Sequence, residues 1–292
     1  MRTRASRHIR IVALLALVLA AVGVFAAPVG AASGAAASKL KPGDEYVALG
    51  SSFASGPMIP EVADASCLRS TNDYPSLVAR ALKLSLTDVS CGGATTENVL
   101  SAPQGARPVQ LDALTSDTKL VTITIGGDDV DYSLTNLTCS SDATAGMDCL
   151  GTSVQPNDLE AKLAALPAKL DATLQAITAK APNATVVVLP YLRVFPAVPV
   201  PCPPSVPMNT PTLYYLTGSS DKLHTAIKHA AARAKVKFVD SYVPKGHDAC
   251  AAPAQRWVEG AEPASPAVSF HPNAAGMQAQ AKMIAAALKG KK

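Results

Sequence analysis

The sequence predicts an α/β fold: a three-layer α/β/α sandwich around a five-stranded parallel sheet. Three features predict it. Short apolar runs of strand length recur along the chain, segments with helical spacing separate them, and most of the runs end at small residues. Because strand and helix alternate, the strands are expected to lie parallel, with helices covering both faces of the sheet.

Five short segments have the length and apolar character of buried strands. They are Glu45–Gly50, Leu86–Cys91, Leu120–Ile125, Thr185–Leu189 and Lys237–Val239. The third and fourth (LVTITI and TVVVL) are continuous and rich in β-branched residues, which is typical of strands buried on both faces.

Four segments have helical spacing: Asp73–Leu82, Asn157–Lys180, Thr212–Ala234 and Asn273–Leu288. Asp73, with a proline in the following turn, is a helix-start signal. Pro167 predicts a kink or a break in the second segment. Ser133–Pro156 and Phe195–Pro211 are expected to be long connections, and loops of that length are usually functional or stapled.

The N-terminus has the layout of a secretory signal peptide. Four arginines precede the uncharged apolar run Ile11–Ala27, and cleavage candidates follow Ala26 and Ala31. The alternative is an uncleaved anchor, for which the run is short against the roughly 20 residues that a span needs. We expect a signal peptide over residues 1–31, a flexible linker over 32–42 and one domain over 43–292. Such a protein is secreted or held in the cell envelope.

Composition excludes a nucleic-acid partner. The chain has a net charge of +4 at pH 7, but the predicted leader holds four arginines and no acidic residue. Once the leader is removed, the net charge is near zero, so nothing steers a polyanion to the protein. About 255 residues remain, which suits one domain with a single core.

The six cysteines are expected to form three disulfides, because the chain is predicted to be exported and the count is even. Six cysteines allow 15 pairings, and the sequence does not choose among them. Nearest-neighbour pairing would join Cys67 to Cys91, Cys139 to Cys149 and Cys202 to Cys250. No two cysteines have the CxxC spacing of a zinc site, so no metal is expected.

The candidate chemistry lies just after the predicted strands, since ligands of an open parallel sheet bind beyond its carboxyl ends. The segments there are Gly50–Gly56, Cys91–Thr96, Gly126–Asp129 and Phe270–Asn273. They supply a serine hydroxyl, an imidazole and small residues with free backbone N–H groups. Acyl transfer needs this set: a serine activated by a base, and donors aimed at the oxyanion.

Four segments resemble, in order, the motif blocks of SGNH/GDSL hydrolases, in particular the actinobacterial secreted lipases and esterases. They are Tyr46–Ser52, Gly92–Thr95, Gly126–Asp129 and His271–Asn273. The resemblance implies the flavodoxin-like SGNH hydrolase fold, no cofactor and three local disulfides. It implies Ser52 as the nucleophile and His271 as its base. The oxyanion hole would be formed by Ser52, Gly93 and the residue at position 128.

Two departures from the family pattern concern neighbours of the dyad. Ser51 replaces the Asp of Gly-Asp-Ser, a local structural partner, so little loss is expected. The acid that often stands three residues before the histidine is replaced by Val268. We expect the Val268 carbonyl to accept from His271 in its place, with Glu259 and Glu262 as alternatives.

A third departure is more serious. Asp128 stands where the family places an oxyanion-hole Asn. An ionised carboxylate has no hydrogen to donate, and at about 4 Å it would repel the developing charge by roughly 4 kcal/mol at an effective dielectric near 20. A protonated carboxyl group could donate instead, and the adjacent Asp129 favours neutralisation of one of the pair. Activity at acidic pH would follow.

Several of these residues could instead have ordinary structural roles. Ser52 and Gly93 could be ordinary turn residues, and His271 could merely precede a helix capped by Asn273. His224 and His229 are interpreted as surface residues, and His247 is a second candidate base. Trp257 either packs in the interior or lines the acyl pocket.

The predicted function is that of a secreted serine esterase or lipase, which hydrolyses lipid acyl esters as a monomer with transient contact with a lipid surface. Neither a nucleic-acid partner nor a metal is expected. A glycan O-acetyl esterase is an alternative within the same chemistry. A non-catalytic binding protein is a second alternative, motivated by Asp128. A flavodoxin-like electron carrier shares the strand layout, but the segment after the first strand lacks a Thr/Ser run for a phosphate.

Overall fold

The computed structural model describes residues 39–243 and 245–289. The predicted signal peptide and the predicted linker up to residue 38 lie outside the described residues. Within the described part, no helix combines the length and the apolar character needed to cross a bilayer.

A five-stranded parallel sheet forms the centre of the fold, as the sequence predicts. Its strands are β1 (Glu45–Gly50), β4 (Ser85–Asp88), β5 (Leu120–Thr124), β6 (Thr185–Val188) and β7 (Lys237–Phe238). Their order across the sheet is β4-β1-β5-β6-β7, and every pair is parallel. β1 is therefore flanked by β4 and β5, so the residues that follow these three strands meet at one edge. Strands β2 (Val62–Asp64) and β3 (Arg69–Ser70) form a small separate antiparallel pair.

Seven α-helices occupy the described chain. They are α1 (Ser52–Ser55), α2 (Tyr74–Leu82), α3 (Thr96–Leu100), α4 (Tyr132–Thr144), α5 (Pro156–Lys180), α6 (Thr210–Arg233) and α7 (Ala274–Lys289). Short 3-10 turns occur at Gln110–Ala113, Asp128–Val130 and Pro253–Gln255. Helix α2 packs against α7, and α5 packs against α6.

Two hydrophobic cores lie on opposite faces of the sheet because successive strand residues point in opposite directions. Val47 and Leu49 of β1 belong to the larger core, which includes the buried leucines of α5 and α6. Tyr46 and Ala48 belong to the smaller core, with Val78 of α2 and other residues of α2 and α7. The sheet is therefore covered on both sides, which makes the three layers.

Three disulfides join Cys67 to Cys91, Cys139 to Cys149 and Cys202 to Cys250. Each links segments that are close in sequence, which is the nearest-neighbour arrangement. The first ties the loop after β2 to the turn after β4, next to the Gly92–Gly93 segment.

Three sequence-based expectations about elements were wrong or shifted. The segment Ser133–Pro156 is not one long loop, because α4 occupies its first half. Pro167 does not break α5, which continues to Lys180; the helix buries Leu163, Leu166 and Leu170 along one side, and this packing offsets the hydrogen bond that proline removes. The second strand lies at Ser85–Asp88 rather than Leu86–Cys91.

Candidate active site

The turn after β1 presents Ser52 at the start of α1. Gly50 has a φ of 131°, and a Cβ there would lie 2.5 Å from the Thr124 carbonyl oxygen, so only glycine fits this approach to β5. Gln110 fixes the same residue from the other side: its Oε1 accepts from the Gly50 N–H at 2.8 Å and its Nε2 donates to the Gly50 carbonyl at 3.0 Å. The position of Ser52 is thus set by two contacts of the preceding Gly50 backbone, one with β5 and the other with the Gln110 side chain.

Ser52 and His271, which are 219 residues apart in sequence, meet at this edge of the sheet. The Ser52 Oγ lies 3.0 Å from the His271 Nε2, and both residues are buried. The Phe53 ring packs beside the imidazole with a centroid separation of 5.1 Å. The 3.0 Å separation of the Ser52 Oγ and the His271 Nε2 is one at which an imidazole accepts the hydrogen of a serine hydroxyl.

The second ring nitrogen of His271 fixes the tautomer. Its Nδ1 lies 2.9 Å from the Ser269 carbonyl oxygen, which can only accept, so Nδ1 carries the hydrogen and Nε2 is free to accept from Ser52. The expectation for Val268 was wrong: its carbonyl accepts from the His271 backbone N–H at 3.1 Å. The backbone makes a tight turn through Phe270, whose φ of 58° turns the Ser269 carbonyl, rather than the Val268 carbonyl, toward the ring.

Burial lowers the pKa of His271 to about 4, although the hydrogen bond to the Ser269 carbonyl acts in the opposite direction. The imidazole is therefore mostly neutral at pH values above about 4. A neutral imidazole is the form that can take a proton from a hydroxyl.

Glu259 does not orient the imidazole, contrary to the alternative drawn from the sequence. Its carboxylate accepts from the Ala264 N–H at 2.8 Å, the Ser265 hydroxyl at 2.6 Å and the Asn273 amide at 2.8 Å. Its backbone N–H donates to the His271 carbonyl at 3.0 Å. Glu259 thus holds the loop that carries the histidine, while Glu262 is exposed.

The Gly92–Gly93 turn is held from two sides. The Gly92 N–H donates to the Cys67 carbonyl at 2.9 Å, and the Gln104 Nε2 donates to the Gly92 carbonyl at 2.7 Å. Gly93 has a φ of 77°, which favours glycine. Among the described residues, the N–H groups of Gly93 and Ser52 donate to no protein acceptor, so both remain available to a ligand.

Asp128 and Asp129 follow β5 and differ in their surroundings. Asp129 accepts from the Thr96 N–H at 2.8 Å and the Thr96 hydroxyl at 2.6 Å, and it pairs with Lys169 at 3.2 Å. Burial raises the pKa of Asp128 to about 6; a hydrogen bond from Ser51 lowers it, and the charges of Asp129 and Asp131 raise it. Burial, rather than the charge of Asp129, is thus the main cause of the raised pKa of Asp128.

Tyr191 is a site residue that the sequence reasoning missed. Its hydroxyl accepts from the Gly127 N–H at 2.7 Å and lies 3.0 Å from the Ser51 Oγ. A Cβ on Gly127 would lie 2.4 Å from the Tyr191 ring, so this approach requires glycine. Tyr191 comes shortly after β6, and the rule that ligands bind at the carboxyl ends of strands would have found it.

The remaining sequence candidates lie in other surroundings. The His247 imidazole stacks on Trp257 at 3.8 Å, and its Nδ1 lies 2.6 Å from the Gln255 carbonyl oxygen. The Trp257 ring thus packs against a histidine. His224 stacks on Tyr242 and pairs with an aspartate, and His229 is exposed.

Comparison with known proteins identifies the family to which the chain belongs. A family model described as GDSL-like lipase/acylhydrolase matches residues 48–279. The chain belongs to this family. A Streptomyces coelicolor protein named lipase 2 is 36% identical over 274 residues, which is 90% of this chain and 92% of that protein. A second protein from the same organism, named lipase 1, is 35% identical over 275 residues, which is 92% of this chain and 95% of that protein.

Solved structures of similar proteins share the fold. The phospholipase A1 of Streptomyces albidoflavus has a TM-score of 0.66 at 28% identity, covering 84% of this chain and 99% of that one. The extracellular lipase of Streptomyces rimosus has the same TM-score and identity and covers 83% of this chain and 99% of that one. The GDSL family member described here is a carboxylic ester hydrolase that acts on small-molecule esters.

Proposed function

We propose that the protein is a secreted serine esterase of lipase type, in which Ser52 attacks an acyl ester and His271 acts as its base. One observation carries the proposal: the 3.0 Å separation of the Ser52 Oγ and the His271 Nε2. The hydrogen on the opposite ring nitrogen, held by the Ser269 carbonyl, leaves Nε2 ready to accept.

The reaction has two stages. The Ser52 Oγ forms a bond to the acyl carbon while its proton passes to the His271 Nε2. The ester C–O bond then breaks, and the alcohol leaves with that proton. Water attacks the acyl-serine, its proton passes to His271, and the carboxylic acid leaves as the Ser52 Oγ regains a proton.

The oxyanion of each tetrahedral intermediate needs donors. The backbone N–H groups of Ser52 and Gly93 are proposed as two of them, because both are free in the described structure. The third is the Asp128 carboxyl group in its protonated form. Because burial raises the pKa of Asp128 to about 6, the group is neutral in acidic solution and then has a hydrogen to give.

Lipid acyl esters are the proposed substrate class. Relatives named lipases and a phospholipase A1 support it. Exposed apolar side chains occur on the segment between α1, which begins at Ser52, and α2, namely Met58, Val62 and Leu68. Such a patch suits transient contact with a lipid surface by a protein that works as a monomer. Export fits the extracellular Streptomyces rimosus lipase.

Two alternatives remain as outcomes of the test. A glycan O-acetyl esterase would use the same dyad, and it would prefer acetylated sugars to long acyl chains. A non-catalytic binding protein would keep the fold and lose turnover if Asp128 stayed ionised.

The test compares variants on soluble p-nitrophenyl esters of short and long acyl chains and on an acetylated xylo-oligosaccharide at about pH 5. Ser52→Ala and His271→Ala are expected to lose at least about 1000-fold in kcat, since the dyad acts as a unit. Ser55→Ala and His247→Ala are the matched controls and should retain activity. Full activity in Ser52→Ala would overturn the proposal, and preference for the sugar would favour the first alternative.

A further inference from the structure

The peptide group between Gly92 and Gly93 carries a proposed oxyanion donor on one side and a hydrogen-bonded carbonyl on the other. The Gln104 Nε2 donates to the Gly92 carbonyl at 2.7 Å, and the Gly93 N–H donates to no protein acceptor among the described residues. Because a peptide group is planar and trans, its C=O and its N–H point in opposite directions. Whatever fixes the Gly92 carbonyl therefore also fixes the direction of the Gly93 N–H.

This peptide group needs a contact that fixes it, because the turn around it does not choose one orientation by itself. The Ala94 N–H donates to the Cys91 carbonyl at 3.1 Å, which makes Gly92 and Gly93 the two central residues of a β-turn. The φ of 77° at Gly93 is that of a type II turn. Type I and type II turns differ mainly in the direction that the central peptide group faces, and glycine at both central positions permits either.

The Gln104 side chain selects one of these orientations. A carbonyl oxygen can only accept, so the amide must present its nitrogen to Gly92. Its Oε1 is buried without a partner, and within the described chain the bond to Gly92 is the one hydrogen bond that this side chain makes. A Cβ on Gly93 would lie 3.8 Å from the Gln104 Nε2, so the amide lies against this peptide group.

Gln104 is itself anchored to the same turn by a ring of contacts. Its backbone N–H and carbonyl bond to the Arg107 carbonyl and N–H, both at 3.2 Å. The Arg107 guanidinium pairs with Asp64 at 2.9 Å, and Asp64 accepts from the Cys67 N–H at 3.3 Å. The Cys67 carbonyl in turn accepts from the Gly92 N–H at 2.9 Å. The backbone that carries Gln104 is thus tied to the backbone that its side chain contacts.

We propose that Gln104 is a positioning residue of the oxyanion hole, which holds the Gly92–Gly93 peptide group so that the Gly93 N–H faces the oxyanion. This inference rests on the proposed function, because that function makes the Gly93 N–H an oxyanion donor. The hydrogen bond that the Gly92 carbonyl accepts also polarises the peptide group, which makes its N–H a stronger donor. Gln104 thus acts on the oxyanion through Gly93.

The test compares kcat/KM for a soluble short-chain p-nitrophenyl ester and for its thionoester, in which sulfur replaces the carbonyl oxygen, at about pH 5. Sulfur is a weak hydrogen-bond acceptor, so hydrolysis of the thionoester depends much less on the oxyanion donors. Gln104→Met keeps the length of the side chain and removes its donor. It should lower kcat/KM about 10- to 100-fold for the oxo ester and less than about threefold for the thionoester.

Three further variants separate this role from a general loss of structure. Glu259→Gln disturbs the loop that carries the histidine, so it should lower both rates by the same factor. Gln175→Met, at an exposed glutamine of α5, should change neither rate. Arg107→Met keeps the Gln104 amide but loosens its anchor, so it should give a smaller loss that is again selective for the oxo ester. An equal loss on both esters, or no loss, in Gln104→Met or, should that variant not fold, in Arg107→Met would overturn the inference.

Failure of the proposed function has a different signature. If Ser52→Ala still hydrolyses the oxo ester, the proposed nucleophile is wrong. If the wild type does not prefer the oxo ester to the thionoester, the oxyanion-hole assignment fails. If the wild type has this preference and Gln104→Met keeps it, only the positioning role of Gln104 fails.

Discussion

Two ionisable residues of the site must hold opposite protonation states during the proposed reaction. His271 must be neutral to accept a proton, and burial lowers its pKa to about 4. Asp128 must be protonated to donate, and burial is the main reason that its pKa is raised to about 6. Both conditions hold together only between these two values, so the enzyme is expected to work in acidic solution.

The expected pH profile of kcat/KM is a bell. Activity should rise through about pH 4 as His271 loses its proton and fall through about pH 6 as Asp128 loses its own. Asp128→Asn carries a permanent donor, so it should keep the rising limb and lose the falling one. Steady-state kinetics from about pH 3 to about pH 9 checks this. Wild-type activity that stays level above pH 6 would show that Asp128 does not face the oxyanion.

Individual residues differed in how far the sequence could predict them. Ser52 and His271 stand in short motifs after strands, so the sequence carried their identity. The carbonyl that orients the imidazole has no side-chain signature, and the choice of Ser269 over Val268 depends on the backbone at Phe270. Gln110 contacts the site through Gly50, which is far away in sequence, and only the fold brings it there. Tyr191 was missed although its place shortly after β6 could have indicated it.

The loop that carries the histidine depends on Glu259, at the scale of an element. Its buried carboxylate accepts hydrogen bonds from both sides of the loop, including the Asn273 amide at the start of α7. The Asn273 Oδ1 also accepts from the Gly276 N–H at 3.0 Å, so one residue caps the helix and bonds Glu259.

Glu259→Gln should destabilise the protein by about 1–3 kcal/mol, because a buried donor is left without its acceptor. It should also lower kcat, since the histidine loses its support. Urea unfolding and kinetics on the same preparation measure both. Glu262→Gln, at an exposed neighbour, is the control. An unchanged unfolding midpoint in Glu259→Gln would contradict this account of the loop.

Helix α4 was not predicted from the sequence, and its composition explains why. Its residues Tyr132–Thr144 are rich in Ser and Thr and lack a clear apolar face, so no periodic signal marks them. Tyr132 and Cys139 are nevertheless buried, and the disulfide to Cys149 ties the helix to the following loop. Tertiary contacts, rather than local preference, hold this helix. The central strands β1, β5 and β6 could be predicted because buried parallel strands are continuous apolar runs, whereas the less buried β4 begins and ends at other residues than predicted.

At the scale of the whole molecule, a buried pair of acids links stability to pH. Asp73 caps α2 through its Oδ1, which accepts from the Ser76 N–H at 2.8 Å, and Asp88 accepts from Ser90. Among the described residues, no neighbouring group donates to the Oδ2 atom of either acid. Burial and the charge of Asp88 raise the pKa of Asp73 to about 9, and burial also raises the pKa of Asp88, so we expect the pair to hold one proton at neutral pH.

This pair predicts that stability falls as pH rises. Between the unfolded pKa near 4 and the folded value, the native state holds one more proton than the unfolded state, so the free energy of unfolding drops by about 1.4 kcal/mol per pH unit. Asp73→Asn keeps the cap and donates to Asp88 without titrating, so it should flatten the slope from about pH 7 to about pH 9. Chemical denaturation at several pH values measures it, with the exposed Asp117→Asn as control. An equal slope in Asp73→Asn and the wild type would contradict the shared proton.

Every step of the proposed reaction requires Ser52 to take the acyl group and His271 to act as its base. The most direct measurement is labelling with a fluorophosphonate, in which the Ser52 Oγ bonds to phosphorus and fluoride leaves, followed by mass spectrometry of the peptides. The label is expected on Ser52 alone, absent from Ser52→Ala and strongly slowed in His271→Ala. A label on another residue, or an unlabelled protein that still hydrolyses esters, would contradict it.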